Sequence, residues 1–141
     1  PPNFQPSDPN NPLVYNQVIG TPVVVGFSGG GSLDNQIGSL NNINLTVAPS
    51  LASASFHANL GVNDGFSSGY QLTQSNFSVS GNAFQTGLQV YGDETGIPVT
   101  SAQASLSGML LGANAERAGI SVHFVDSAKN TDLSAAAVLG R

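Results

Sequence analysis

Two histidines, His57 and His123, are the only imidazoles in the chain, so a general base, a metal ligand or an axial haem ligand would be sought there first. A working histidine is normally held by a carboxylate or a carbonyl. Neither has such a partner in sequence, and both fall on the polar parity of an alternating segment, which reads as solvated surface. The carboxylates Asp93, Glu94, Asp126 and Asp132 would suit paired-acid hydrolysis or a calcium loop. They lack the regular ligand spacing of such a loop and lie in turn-forming stretches, where Asp hydrogen-bonds its own backbone. Residues 26–31, Gly-Phe-Ser-Gly-Gly-Gly, combine a phosphate-cradle composition with the Gly-x-Ser-x-Gly spacing of a nucleophile elbow. No Lys follows and no strand–turn–helix context surrounds them, so they read as a flexible loop.

Asn44-Leu45-Thr46 and Asn76-Phe77-Ser78 fit the N-glycosylation pattern, which a chain with 14 Asn produces by chance. Lys129, the sole lysine, stands beside Asn130, but an intramolecular amide crosslink needs that pair buried with an acid, and a turn is the wrong place. Zero Cys removes thiol catalysis, disulfides, cysteine-based zinc sites and iron–sulfur clusters. The expectation is a protein that is not an enzyme, with no catalytic, cofactor-binding or metal-binding residues.

The composition around these residues narrows the partners. Charged side chains are 8% of the 141 residues, with eight acidic against three basic, where a typical domain carries about 25%. Three basic side chains are too few for the phosphate contacts that nucleic-acid affinity rests on, and a net charge of −5 repels anionic lipid. At 40% apolar residues the chain can still build a core. No apolar run approaches the roughly 20 residues of a membrane helix. The chain opens Pro1-Pro2-Asn3 without Met, a basic region or an apolar leader, and is expected to be a mature protein or an excised piece of a longer one.

Alternation supplies the elements. In residues 54–62, Ala54, Phe56, Ala58, Leu60 and Val62 share one face while Ser55, His57, Asn59 and Gly61 share the other, a half-buried strand, and Asn63-Asp64-Gly65 then suits a reversal. The same pattern puts Phe84, Leu88 and Val90 inward, then Ala102, Ala104, Leu106 and Leu110, then Ala118, Ile120, Val122 and Phe124. Tyr70 and Leu72 disagree in parity with Phe77 and Val79, which calls for a bulge near Gln74. Residues 13–18, 23–27, 43–47 and 133–139 complete the set, and the best helical stretch, 114–118, is one turn long.

Many short strands with turn clusters between them predict an all-β fold, an antiparallel up-and-down β-barrel of about eight strands. An outer-membrane barrel would put apolar residues toward lipid with aromatic girdles. Zero Trp and three Tyr do not supply such girdles, so the apolar set is expected to face inward. Residues 1–12, with Pro1, Pro2, Pro6, Pro9 and Pro12, form an extended arm ahead of a single barrel domain at 13–141, with a possible hinge at 29–31.

At Gly108-Met109-Leu110-Leu111-Gly112-Ala113-Asn114-Ala115-Glu116-Arg117-Ala118-Gly119 the chain resembles the signature of the transferrin-binding-protein-like β-barrel domain of bacterial surface lipoproteins. Gly108, Gly112, Asn114, Ala115, Glu116 and Gly119 carry the likeness as a fold motif, while Leu110 and Leu111 stand where aromatics are usual and Ala113 where Pro is. The resemblance covers roughly residues 33–141. It implies an extracellular or outer-membrane-surface barrel of a Gram-negative bacterium and transfers no binding residue. Glycine at 108 and 112 would let a strand bend, and the Asn114 side chain would cap a short turn.

Two functional expectations follow. The first is a structural or adhesive subunit of a bacterial surface assembly or filament, whose partner is other copies of itself, joined by strand addition and arm exchange through Pro6, Pro9, Pro12, Val23, Val24 and Val25. The alternative is a surface ligand-binding module for iron or haem acquisition, for which His57, His123 and three Tyr are the available haem ligands. A host iron carrier as partner rests on the resemblance alone.

Overall fold

The computed structural model describes residues 11–27, 38–62 and 68–141. Strands β1 (Leu13–Tyr15), β2 (Gln17–Phe27), β3 (Gly38–Val47), β4 (Ser53–Val62), β5 (Ser68–Ser80), β6 (Ala83–Gly92), β7 (Ala102–Leu111), β8 (Arg117–Asp126) and β9 (Thr131–Gly140) follow in chain order, with a 3-10 turn at Ser127–Lys129. All pair antiparallel, in the order β1-β3-β4-β5-β6-β7-β8-β9-β2. This is an up-and-down β-barrel, nearly closed. The first two strands divide at Asn16, whereas the sequence segments 13–18 and 23–27 place the division at residues 19–22.

That break closes the cylinder. Leu13, Val14 and Tyr15 oppose Val47, Thr46 and Leu45 of β3, whereas from Gln17 onward the same run of chain pairs with β9. One stretch therefore bridges the two edges that rolling up the β3–β9 meander leaves unpaired. Beyond the bridge, β2 and β3 run side by side without a ladder, leaving a cavity of about 470 Å³ lined by residues 21–24 and 38–41. Both strands are irregular at this seam. β2 shifts register between Ile19 and Val23, with Gly20 at φ 80° and Pro22 contributing no N–H, and β3 shifts between Asn41 and Asn44, with Asn42 at φ 51°.

The apolar parity faces inward on β3 to β9, whereas on β2 Ile19 and Val23 face outward and Val24 inward. Along β4 all five apolar residues are buried, and Phe84, Leu88, Val90, Leu106, Leu110, Ala118, Ile120, Val122 and Phe124 join them; Ala102 and Ala104 are only partly buried. The bulge expected near Gln74 lies at residues 75–76. Phe56 opposes Gln74 while Ala54 opposes Phe77, so one β4 residue faces two on β5, and Asn76 takes φ 55°. This extra residue restores parity, and Tyr70, Leu72, Phe77 and Val79 all reach the core.

Other expectations change or fall elsewhere. Residues 114–118 form a turn and the start of β8 instead of a helical turn, because Ala115 adopts φ 52°. The reversal at Asn63-Asp64-Gly65, the hinge at 29–31 and Pro6 and Pro9 of the arm lie outside the described residues; Pro12 is exposed just before β1. Gly108 provides room: a Cβ there would lie 2.4 Å from the Phe84 ring and 2.6 Å from the Gly119 carbonyl oxygen.

A Gly108→Ala variant is expected to lose about 1–3 kcal/mol through forced displacement of the Phe84 ring. Gly119→Ala, whose Cβ would meet only Leu111 Cδ1 at 3.5 Å, should stay within about 0.5 kcal/mol of the parent. Chemical denaturation of the two variants checks the contrast.

Candidate functional site

The motif at 108–119 builds a latch at one pole of the barrel. Gly112 sits at φ 89°, and a Cβ there would lie 2.2 Å from the Glu116 carboxyl carbon. With that space free, Glu116 Oε2 accepts a 3.0 Å hydrogen bond from the Asn114 N–H. The Glu116 carboxylate therefore caps the turn, in place of the Asn114 side chain expected from sequence. Hydrogen bonds from the backbone N–H groups of Glu116 and Asn114, with Arg141 and Arg117 nearby, hold the Glu116 carboxyl below its ordinary range. The fully buried Tyr15 donates its hydroxyl to the Ala115 carbonyl, and Arg141 Nη2 donates to the Asn114 carbonyl at 3.0 Å. The broken first strand, the β7–β8 turn and the last residue are thereby pinned together.

Histidine chemistry has more support than the sequence offered. His123 Nε2 lies 2.8 Å from Asp132 Oδ1, on the outer face of β8 and β9, with side chains 54% and 45% exposed. Ser105 and Ser134 flank His123 in register on β7 and β9. The pair orients the ring on the regular β7–β8–β9 ladders. His57 lies across the barrel on β4, between Asn44 and Thr73. The tyrosines are equally dispersed. Tyr15 is in the latch, Tyr70 donates to Asp126 Oδ2 at 2.9 Å, and Tyr91 donates to Gln89 Oε1 at 2.7 Å. The structure does not bring the haem-ligand candidates together.

The acids separate by environment. Asp126, 1% exposed, accepts from Tyr70 and Ser101 and caps the 3-10 turn through the Ala128 N–H. Asp93 and Glu94 are exposed in the β6–β7 connection. Lys129 ends the 3-10 turn with its ammonium 5.9 Å from the Tyr70 ring centroid, and Asn130 follows in the left-handed region.

An apolar feature crosses the outside. Ile19 opposes Val138, Val138 opposes Gly119, and Gly119 opposes Met109, a row running over β2, β9, β8 and β7. Val23 opposes Ala136 one step along. Together with Thr21, Ser107, Leu111 and Ser121 they line an open groove of about 720 Å³ with no charged side chain in it. The valine triplet is split by parity: Val23 is 59% exposed in this groove, Val24 is in the core and Val25 is half-buried.

Comparison of the chain with protein-family models, curated proteins and solved structures finds no match, so the functional reading rests on this geometry.

Burial pushes the Tyr15 hydroxyl up to about 12 from 10.0, with Glu116 adding to the rise and Arg141 opposing it. The folded state then holds its proton more tightly than the unfolded one, so stability falls as pH climbs from the ordinary tyrosine value through the folded one. At about 1.4 kcal/mol per pH unit the loss is about 3 kcal/mol. Tyr15→Phe should cost about 1–3 kcal/mol at neutral pH, from the orphaned Ala115 carbonyl, and flatten that alkaline decline. Urea melts across the pH range measure both.

Proposed function

We propose that this protein is a non-enzymatic structural or adhesive subunit of a bacterial surface assembly, and that its partner is a second copy of itself seated on the outer face of β2, β9, β8 and β7. One observation carries the reading. Of the six large hydrophobic side chains exposed among the described residues, Ile19, Val23, Met109 and Val138 share this one groove. Contiguous exposed apolar surface marks interaction sites, whereas scattered single residues do not. For a chain of net charge −5, an uncharged face is also where two copies meet with least repulsion.

Contact through this face is favoured over strand addition. Pro22 and the two register shifts blunt the unpaired β2–β3 seam in the way natural sheets discourage edge pairing. A bacterial-surface location draws its support from the likeness of residues 108–119 to surface lipoprotein barrels, and arm exchange by residues 1–12 remains part of the proposal.

Sedimentation of the full chain over a concentration series should show reversible self-association. Met109→Glu and Val138→Lys, both pointing outward, should each weaken it about tenfold or more without changing the circular dichroism spectrum. A parent chain that stays monomeric throughout, or variants that associate like the parent, would overturn the reading.

A further inference from the structure

We propose that the second copy sits on the apolar groove about a two-fold axis that crosses the strands above Ile120, so that the strands of the two copies run antiparallel and Arg117 of each copy meets the Asp132 carboxylate of the other. This rests on the self-association proposed above and deepens it by fixing how the partner is oriented. A face that meets its own copy in a closed pair does so about a two-fold axis. For two faces in contact that axis lies in the contact plane, and its two settings, along the strands or across them, bring different residues together.

Charge selects the setting. The groove is lined on β8 by Gly119, Ile120 and Ser121 and on β9 by residues 136–138, and Ile120 opposes both Ala137 and Gly108, so the row through Ile120 is its centre. The charged side chains on β7, β8, β9 and β2 are Arg117, Asp126 and Asp132, and Asp126 is buried. The two outward charges bracket the groove. Exposed Arg117 stands three residues before Ile120, toward the latch. Exposed His123 stands three residues after it, and the 2.8 Å contact of its Nε2 with Asp132 Oδ1 holds that carboxylate at the same distance from the centre. An axis along the strands would set Arg117 against Arg117 and Asp132 against Asp132. An axis across them sets each Arg117 against an Asp132, and complementary charge of this kind fixes register and suppresses the wrong arrangement.

Side-chain size, independent of charge, selects the same setting. On the latch side of the centre lies the row of Met109, Val138 and Ile19, which are 45%, 38% and 42% exposed. On the other side Ser107, Ser121 and Ala136 form a lower row, with Val23 at its end. Reversal of the strands lays Met109 of one copy over Ser107 of the other and Val138 over Ala136, large against small, as facing layers interdigitate. An axis along the strands would stack the bulky row on itself.

Sedimentation of charge-reversed full chains tests the orientation. Arg117→Asp and Asp132→Arg should each self-associate about tenfold more weakly than the parent, with unchanged circular dichroism, because each makes both cross-copy contacts repulsive. An equimolar mixture of the two variants should return to within about threefold of the parent, since both contacts are then attractive again. A spin label at Gln103→Cys, the one thiol in an otherwise cysteine-free chain, adds a distance. Gln103 is five residues from the central Gly108, so two labels in the antiparallel pair lie about 33 Å apart along the strands at about 3.3 Å per residue. A parent that stays monomeric overturns self-association and this inference with it. A parent that associates, while the single variants match its affinity, the mixture stays as weak as they are, or the label distance falls under about 20 Å, overturns the orientation alone.

Discussion

A sheet that rolls into a cylinder must give partners to its last two edges, and here one broken strand supplies them. Before Asn16 the chain belongs to β3 and after it to β9. The break is held by a hydroxyl that reaches a carbonyl 100 residues away, in a turn whose shape depends on Gly112 having no side chain. Loss of any one of Tyr15, Gly112 or Glu116 therefore acts on closure of the whole barrel. The energetic reason is that an unpaired buried carbonyl costs more than a hydrogen bond contributes.

Inside and outside follow different rules. The interior is packed with leucine, phenylalanine, valine and alanine, so the cylinder is a core rather than a vessel. The exterior has two characters. Over β3 to β6 the rows Asn44–His57–Thr73–Gln89 and Asn41–Asn59–Gln71–Tyr91 present amides and hydroxyls, whereas over β7, β8, β9 and β2 the row from Met109 to Ile19 is apolar. Recognition by this barrel accordingly falls to its surface.

The strands were legible because a period of two is a local property. Residues 54–62 announce their buried face without knowledge of any neighbour, and the parity clash between Leu72 and Phe77 announces an extra residue between them. What depends on register was not legible. Tyr70 meets Asp126 across 56 residues, and His123 acquires Asp132 only because β8 and β9 pair as they do. The apolar row was hidden for the same reason. Ile19 and Val23 on β2, Val138 on β9 and Met109 on β7 are each unremarkable until the strands are aligned, with Gly119 of β8 between them. The valine triplet is divided by the same rule, since adjacent strand residues point to opposite faces and only Val23 lies open in the groove.

The latch has a geometric corollary. Leu13 leads into Tyr15, which binds the 112–116 turn, and Arg141 binds the same turn, so both ends of the barrel leave from one pole. The β6–β7 and β8–β9 connections crown the other. A pull on both ends of the barrel would therefore peel β1 from β3 and β9 from β8 and β2, starting at the same pole.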